Sequence, residues 1–347
     1  MSKTKKVQIF LFAFMLVTSN FLHAEEVVSN QSPISYILDK MDFVTYFTKP
    51  IKQNLAQRGI DLDFFGGVIQ GVDNNIFLDP SRTRDAFLQT STSGDLTYHF
   101  TDDLRGTLDA DITNIIYYRF NDNNLLDISG NPGLEVDFIK DYFTLEFDYL
   151  FDWLFSPFDE DGSYITNRYS VFLRHNACEQ LYHRGGFRLE YKRFTDRKAF
   201  GSNRVKKSAL RSDVRYTGEH ETILYLGDNI KLRENIQLYR NDSNDQFFDY
   251  YDYFAFRSKT SAVAIFTEKL YSILSFTYTR KNYDDRLSSQ NNTHQKDNLY
   301  VFNISLLYDL TPSFTLTTGY SYRENNSNEP LEKYSGSIFT VGLYYTF

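Results

Sequence analysis

The sequence predicts an all-β protein: a transmembrane, antiparallel, up-and-down β-barrel of about 14 strands. Phe, Tyr and Trp make up 17% of the 347 residues, and Phe and Tyr favour strands and the boundary between water and lipid. Apolar and polar residues alternate with a period of two, and short turns alternate with long polar loops. Beyond the leader no apolar run is long enough for a transmembrane helix, so a spanning chain must close into a barrel.

The N-terminus has the pattern of a secretory signal peptide over residues 1–24. Lysines at positions 3, 5 and 6 precede a short apolar core, and we expect cleavage after Ala24. Residues 25–60 lack the two-residue period and are predicted to form a periplasmic, partly helical segment. The helical spacing there is carried by Ile34, Ile37, Leu38, Met41 and Val44. Residues 61–347 are predicted to form the outer-membrane β-barrel.

The alternation predicts strands over 62–72, 86–100, 104–120, 132–140, 142–153, 164–175, 181–194, 208–226, 230–240, 251–266, 270–281, 297–309, 313–323 and 334–347. An even number returns both termini to the periplasmic side, as a barrel whose last strand pairs with its first requires. The segments around Cys178 and over 208–226 are ambiguous, so 12 or 16 strands remain alternatives. A soluble β-sandwich is disfavoured because many strands are long and aromatic residues cluster near their ends.

The opening strands resemble those of the β-barrel porin 2 family. The similarity is carried by "GGVIQGVDNNIFLD" and "FLQTSTSGDLTYHF", and by pattern it covers roughly residues 61–347. The terminal "VGLYYTF" looks like the closing strand of outer-membrane proteins, so the resemblance implies that Tyr345 and Phe347 form the signal read by the barrel-assembly machinery. It also implies a Gram-negative-type outer membrane, and some members of the family are associated with export of exopolysaccharide or capsule.

Charge and cysteine content exclude several classes of protein. Lys and Arg total 37 against 45 Asp and Glu, a net charge of -8, so no global positive field favours nucleic acid. A single cysteine, Cys178, excludes an internal disulfide. We expect no nucleic-acid partner and no cofactor.

Histidines give no convincing enzyme or metal site. His175, Cys178 and His183 surround a short turn with a spacing that matches no zinc pattern, and we interpret them as a solvated turn. His99 maps to the periplasmic end, His220 has outward parity and His294 lies in an outer loop. A barrel hydrolase needs a base beside a nucleophile, so the prediction is a non-enzymatic protein without a metal.

The inward parity of the strands gives two charged walls. The acidic wall, on strands three to five, contains Asp109, Asp111, Glu135, Asp137, Glu146, Asp148 and Asp152. The basic wall, on strands six to nine, contains Arg168, Arg174, Arg188, Lys192, Arg211, Arg215, Lys231 and Arg233. Ionised side chains facing lipid would cost roughly 2 to 4 kcal/mol for Arg or Lys at mid-membrane, so the interior must hold water or paired charges.

These observations predict a porin-like channel for passive or facilitated passage of small hydrophilic solutes. A barrel filled by pairing of the two walls is the alternative for the interior. Alternatives for the function are an accessory or export barrel for exopolysaccharide or capsule, and a non-conducting adhesin or structural barrel. The expected partners are outer-membrane lipid and lipopolysaccharide, the barrel-assembly machinery, and small hydrophilic solutes or polysaccharide.

Overall fold

The computed structural model describes residues 59–139, 142–156, 162–203, 205–247 and 251–346, which form a closed antiparallel barrel. Each strand pairs with its neighbours in the sequence, and β1 pairs with β14. The 14 strands are β1 Ile60–Asp73, β2 Asp85–His99, β3 Leu104–Tyr117, β4 Leu125–Ile139, β5 Phe143–Phe155, β6 Tyr164–Cys178, β7 Leu181–Phe200, β8 Lys206–Leu226, β9 Ile230–Ser243, β10 Tyr253–Ile265, β11 Leu270–Leu287, β12 His294–Asp309, β13 Phe314–Ser327 and β14 Tyr334–Thr346. The predicted fold class and strand number are confirmed.

The signal peptide and nearly all of the N-terminal segment predicted over 25–60 lie outside the described residues. Short 3-10 helices occur at Asn121–Asn123 and Pro330–Glu332, both in loops. In the described part of the chain, no helix reaches the length and apolarity that crossing a membrane requires.

Connections differ between the two ends of the barrel. Brief turns at 100–103, 179–180, 227–229, 266–269 and 310–313 lie at the end that carries the start of β1 and the end of β14. Longer loops join the strands at the other end, which we call the outer end. Gly227 in the β8–β9 turn has a φ of 63°, a left-handed conformation that favours glycine.

The outer surface is an apolar band. Large side chains alternate outward along β5, β12 and β14, where Phe147, Ile304 and Leu343 are each about two-fifths exposed. Exposed aromatic side chains occur at the turn end, for example Tyr98, and at the outer end, for example Phe254. This is the pattern of a transmembrane barrel with two aromatic girdles, and it places the protein in the outer membrane.

The glycines of β1 make room for aromatic rings inside the barrel. A Cβ atom on Gly67 would overlap the ring of Tyr344 on β14, and one on Gly71 would overlap the ring of Phe87 on β2. The rings of Phe65 and Tyr344 are in tilted contact, with centroids 4.7 Å apart. The junction of the first and last strands is therefore sealed on its inner face by rings lying over glycine.

The fourth strand begins earlier than predicted. The sequence placed its start at 132, because the preceding residues have the composition of a loop, whereas β4 starts at Leu125. Asp127, Ser129 and Asn131 face the barrel interior, where polar residues are favoured, and so continue the strand. Pro132 has no amide hydrogen, and the pairing of β4 with β5 skips residues 131 and 132.

Candidate functional site: the charged barrel interior

The strand register shows which side chains share the inner face. In an antiparallel pair, residues directly opposite each other point to the same side of the sheet. Buried Ser93 on β2 pairs with Asp111 on β3, and Asp111 pairs with Ser129 on β4. Extended around the barrel, the register places every residue of the predicted acidic and basic walls on the inner face.

The two predicted walls meet in a chain of ion pairs near the turn end, which we call the arginine ladder. Its members are Arg105, Glu135, Asp137, Arg174, Glu146, Arg184 and Asp148. Arg105 contacts Glu135 and Asp137 at 2.9 Å each. Arg174 contacts Glu135 at 3.3 Å and Glu146 at 3.1 Å. The four carboxylates are thus shared among three arginines, two of which the sequence analysis did not nominate.

Glu146 is the centre of this ladder. Its carboxylate forms an ion pair with Arg174 and accepts a hydrogen bond from Arg184, whose Nε lies 2.5 Å from Oε2. The Glu146 side chain is only 5% exposed. Arg184 continues to Asp148 at 3.4 Å. The Arg184 guanidinium also lies 3.6 Å from the ring centroid of Phe172. These contacts bind β5, β6 and β7 together across the inner face.

Further ion pairs occupy the inner face of β6 to β9. Arg188 contacts Glu219 at 2.8 Å, and Arg233 contacts Glu221 at 2.6 Å. Arg168 and Arg215 share Glu190, at 3.9 and 3.5 Å, and Arg211 contacts Asp213 at 2.6 Å. Most of the predicted basic wall is therefore paired with carboxylates on the same strands. Of its lysines, Lys192 lies over the Tyr164 ring at 3.7 Å and Lys231 lies 5.7 Å from the Tyr225 ring centroid.

A second group of carboxyl groups on β2 to β5 has no such partners, and we call it the carboxyl patch. Its members are Asp95, Asp109, Asp111, Asp127 and Asp152. Within the described part of the chain, none of them lies within 4 Å of a basic nitrogen. All five are partly exposed as whole residues, although one carboxyl oxygen each of Asp111, Asp127 and Asp152 is inaccessible and makes no hydrogen bond. Carboxyl groups therefore outnumber basic groups in this part of the wall.

The members of the patch lie close to one another across neighbouring strands. Asp95 is directly opposite Asp109 in the register of β2 and β3, and Asp152 is opposite Ser129, two residues from Asp127 on β4. Neighbouring carboxyl groups disfavour each other's ionisation, because two like charges at short range repel. Asn131 Nδ2 also donates to Asp109 at 3.0 Å. Repulsion therefore limits the negative charge that each pair of neighbours can carry, and Asp111 lies beside Asp109 on the inner face of β3.

Sequence reasoning missed two members of the patch. Asp127 lies in a segment with the composition of a loop, although its side chain faces the interior. Asp95 has inward parity on β2, and the predicted acidic wall begins only at the third strand. No group of three or more His, Cys, Asp or Glu residues with metal-binding geometry occurs among the residues that the structure describes.

Contacts between strand ends and loops connect parts of the outer rim. Arg323 contacts Asp73 at 2.6 Å, which ties β13 to the end of β1. In the β13–β14 loop, Glu329 accepts from the Ser289 amide at 2.6 Å and from its hydroxyl at 2.8 Å. Burial acts to raise the pKa of Glu329. The hydrogen bonds from Ser289, a further one from the Leu331 amide and the positive charge of Arg286 outweigh this effect, so the pKa lies below its usual range.

The predicted assembly signal is described only in part. Tyr345 faces outward, and its ring lies 5.2 Å from that of Phe314 at the turn end of the barrel. Phe347 lies outside the described residues. Of the predicted turn site, Cys178 is exposed, whereas His175 and His183 are directly paired and point outward.

No family model and no curated protein matches the chain, so the resemblance to the β-barrel porin 2 family stays a prediction. Solved structures similar to it include OmpT with loop L8 deleted, an outer membrane protein of Vibrio cholerae, with a TM-score of 0.48 over 83% of this chain and 100% of that one. The outer membrane channel DcaP of Acinetobacter baumannii also scores 0.48, over 83% and 98%. An anion-selective porin from Comamonas acidovorans scores 0.42, over 83% and 99%. Sequence identity is 10% in each case, too low to determine what this chain does.

Proposed function

We propose that the protein is a non-enzymatic, water-filled outer-membrane channel for small hydrophilic solutes, with a preference for cations. The observation that carries this proposal is the carboxyl patch. Carboxyl groups without basic partners are costly to bury in a dry interior and need water beside them. Because the patch spans β2 to β5 and stays partly exposed, we infer that water reaches this wall of the barrel.

The distribution of charged groups inside the barrel supports a preference for cations over anions. The ion pairs of the arginine ladder and of β6 to β9 cancel most of the charge on those strands, while the carboxyl patch is not compensated. A surface of one sign inside a low-dielectric wall concentrates ions of the opposite sign. Cations and solutes with a cationic group should therefore enter more readily than anions of the same size.

Export of polysaccharide stays a prediction from the family resemblance. Sugar rings could stack on aromatic side chains at the outer rim, where Tyr251 and Tyr253 occur in the chain. Tyr253 is 1% exposed and packs against Tyr239 and Tyr283 inside the barrel. The Tyr251 ring is covered by the Arg211 guanidinium, 3.3 Å from its centroid. Neither ring favours this second function.

Conductance of the purified full-length protein in planar bilayers tests the channel. We expect discrete current steps and faster swelling of liposomes in neutral sugars smaller than the pore. Folding of the same sample is checked by its heat-modifiable migration on SDS gels. Folded protein that passes neither ions nor sugars would refute the proposal and favour an adhesin or structural barrel.

A further inference from the structure

The outer surface of β7 to β10 carries a polar patch where an apolar one is expected. We call it the outer-wall patch, and its members are His183, His220, Thr222, Glu234, Ser258 and Thr260. The register places His183, Thr222, Glu234 and Thr260 in one row across four consecutive strands. His220 and Ser258 belong to the next row with the same orientation.

Hydrogen bonds divide the outer-wall patch into a histidine half and a carboxylate half. Thr222 Oγ1 lies 3.0 Å from His183 Nδ1 and 3.3 Å from His220 Nε2, and the two imidazole rings stack with centroids 5.6 Å apart. On β9 and β10, Glu234 accepts from Ser258 at 2.7 Å and also from Thr260. Within the described residues, His183 Nε2 and His220 Nδ1 make no hydrogen bond, so both remain available to an outside group.

The outer-wall patch lies within the apolar band. Along β9, Glu234 is flanked on the same face by Leu232 and Ile236, and Ile236 is 38% exposed. Phe187, which follows His183 and Gly185 on the outer face of β7, is 75% exposed. A carboxylate and two imidazoles at this position would be costly against lipid, even with internal hydrogen bonds. A polar surface must therefore cover them.

The surrounding side chains permit close approach of another protein. Gly185 and Gly218 occupy outward positions beside the histidines, and Ala262 and Ala264 continue the outer face of β10 toward the turn end. By contrast, the outer face of β12 presents Tyr300, Phe302, Ile304, Leu306 and Tyr308. Small residues let two membrane-spanning surfaces pack tightly, whereas large ones fit fluid lipid.

The symmetry of the outer-wall patch indicates that a second copy of this chain covers it. Two copies of one barrel enter the membrane in the same orientation, so a two-fold axis between them runs along the membrane normal. Such an axis at β8 and β9 brings the β7–β8 half of each copy opposite the β9–β10 half of the other. We propose that this face is the interface of a homodimer, in which His183 and His220 of one copy bind Glu234 of the second copy. The outer-wall patch is complementary to itself under this operation.

Cysteine cross-linking in native membranes tests the interface. Both variants are made in a Cys178→Ser background, which removes the native thiol. Ile236→Cys places a thiol beside the proposed axis. Val68→Cys is the control, because Val68 lies on the far side of the barrel and is 51% exposed. We expect a short bifunctional maleimide to give a covalent dimer with Ile236→Cys and monomer with Val68→Cys. Equal cross-linking of the two variants would overturn the proposal.

Substitution of Glu234 tests the charge pairing. Glu234→Gln should weaken dimerisation about tenfold or more, because it removes the charged partner of two desolvated imidazoles. Glu324→Gln is the matched control, since Glu324 also faces outward but lies toward the outer end, where Tyr322 donates to it at 3.0 Å. It should leave the dimer unchanged.

The dimer fraction is read by native mass spectrometry of the full-length protein in detergent, after heat-modifiable migration has shown that each variant is folded. A monomeric wild type that retains bound phospholipid would show that lipid headgroups cover the outer-wall patch, and would overturn the proposal. So would a trimer, or a dimer that Glu234→Gln leaves intact. Conductance plays no part in these measurements, so they are independent of the channel function.

Discussion

The arginine ladder and the carboxyl patch lie on the same inner face but use their charges differently. In the ladder, Glu146 is nearly inaccessible and touches two arginines. In the patch, Asp111 has no basic nitrogen within 4 Å among the described residues, and one of its oxygens makes no hydrogen bond. Paired charges at low exposure hold strands together, whereas uncompensated charges create a field. Charge in this barrel is therefore structural in the ladder, and in the proposed channel the carboxyl patch is the region that acts on solutes.

The largest expected difference between the two regions is in stability. Glu146→Gln leaves Arg174 and Arg184 without their shared carboxylate and should lower the free energy of unfolding by about 3 to 5 kcal/mol. Asp109→Asn, the matched change in the carboxyl patch, should alter it by less than about 1 kcal/mol. Urea unfolding in lipid vesicles, followed by the fluorescence of Trp153, the single tryptophan, measures both. Equal losses for the two variants would remove the distinction between the regions.

A backbone position inside the ladder region should show a smaller effect. Gly186 faces inward between Arg184 and Arg188, and a Cβ atom there would lie 2.6 Å from the Phe172 ring and overlap the Val171 carbonyl. Gly186→Ala should therefore destabilise the barrel by about 1 to 3 kcal/mol. Gly130, where a Cβ atom meets nothing within 4 Å, is the control, and Gly130→Ala should be close to neutral. The same unfolding assay applies, and a neutral Gly186→Ala would contradict the tight packing described for Phe172.

The smallest expected effect is at the border of the two regions. Asp152 belongs to the carboxyl patch, but Lys192 and Arg168 attract it across β6 and β7. Asp152→Asn should therefore change the ion preference of the channel less than Asp111→Asn does. The two changes in ion preference are compared by measuring the reversal potentials of both variants in the same salt gradient. A larger shift for Asp152→Asn than for Asp111→Asn would contradict the assignment of the uncompensated charge to the region around Asp111.

Much of the barrel could be predicted from alternation alone, because inward and outward parity is a property of each strand by itself. Parity correctly gave the outward histidine His220 and the closing strand of the barrel. It could not give the partners of each charge, since those depend on the register between strands. Arg105 and Arg184 were overlooked for this reason. Asp127 was missed because the Asn- and Gly-rich segment around it has the composition of a loop but pairs as a strand.

The same limit applies to the outer-wall patch. The sequence places Glu234 and Thr222 twelve residues apart on either side of a turn, and only the register shows that they are direct neighbours. The hydrogen bond between His183 and Thr222 likewise links residues whose proximity depends on how β7 and β8 align. Patterns within one strand predict the face of a side chain, and contacts between strands determine its chemistry.

Ion preference tests the central claim most directly. The combined variant Asp95→Asn, Asp109→Asn, Asp111→Asn and Asp127→Asn removes most of the carboxyl patch, whereas the paired control Arg188→Gln and Glu219→Gln removes one positive and one negative charge from an ion pair. Reversal potentials are measured in a potassium chloride gradient. Wild type and the paired control should prefer potassium, and the combined variant should lose that preference. The difference should be largest at low salt, where the screening length is about 30 Å at 0.01 M, and should fade toward about 3 Å at 1 M. A reversal potential that stays the same in the combined variant would contradict the account.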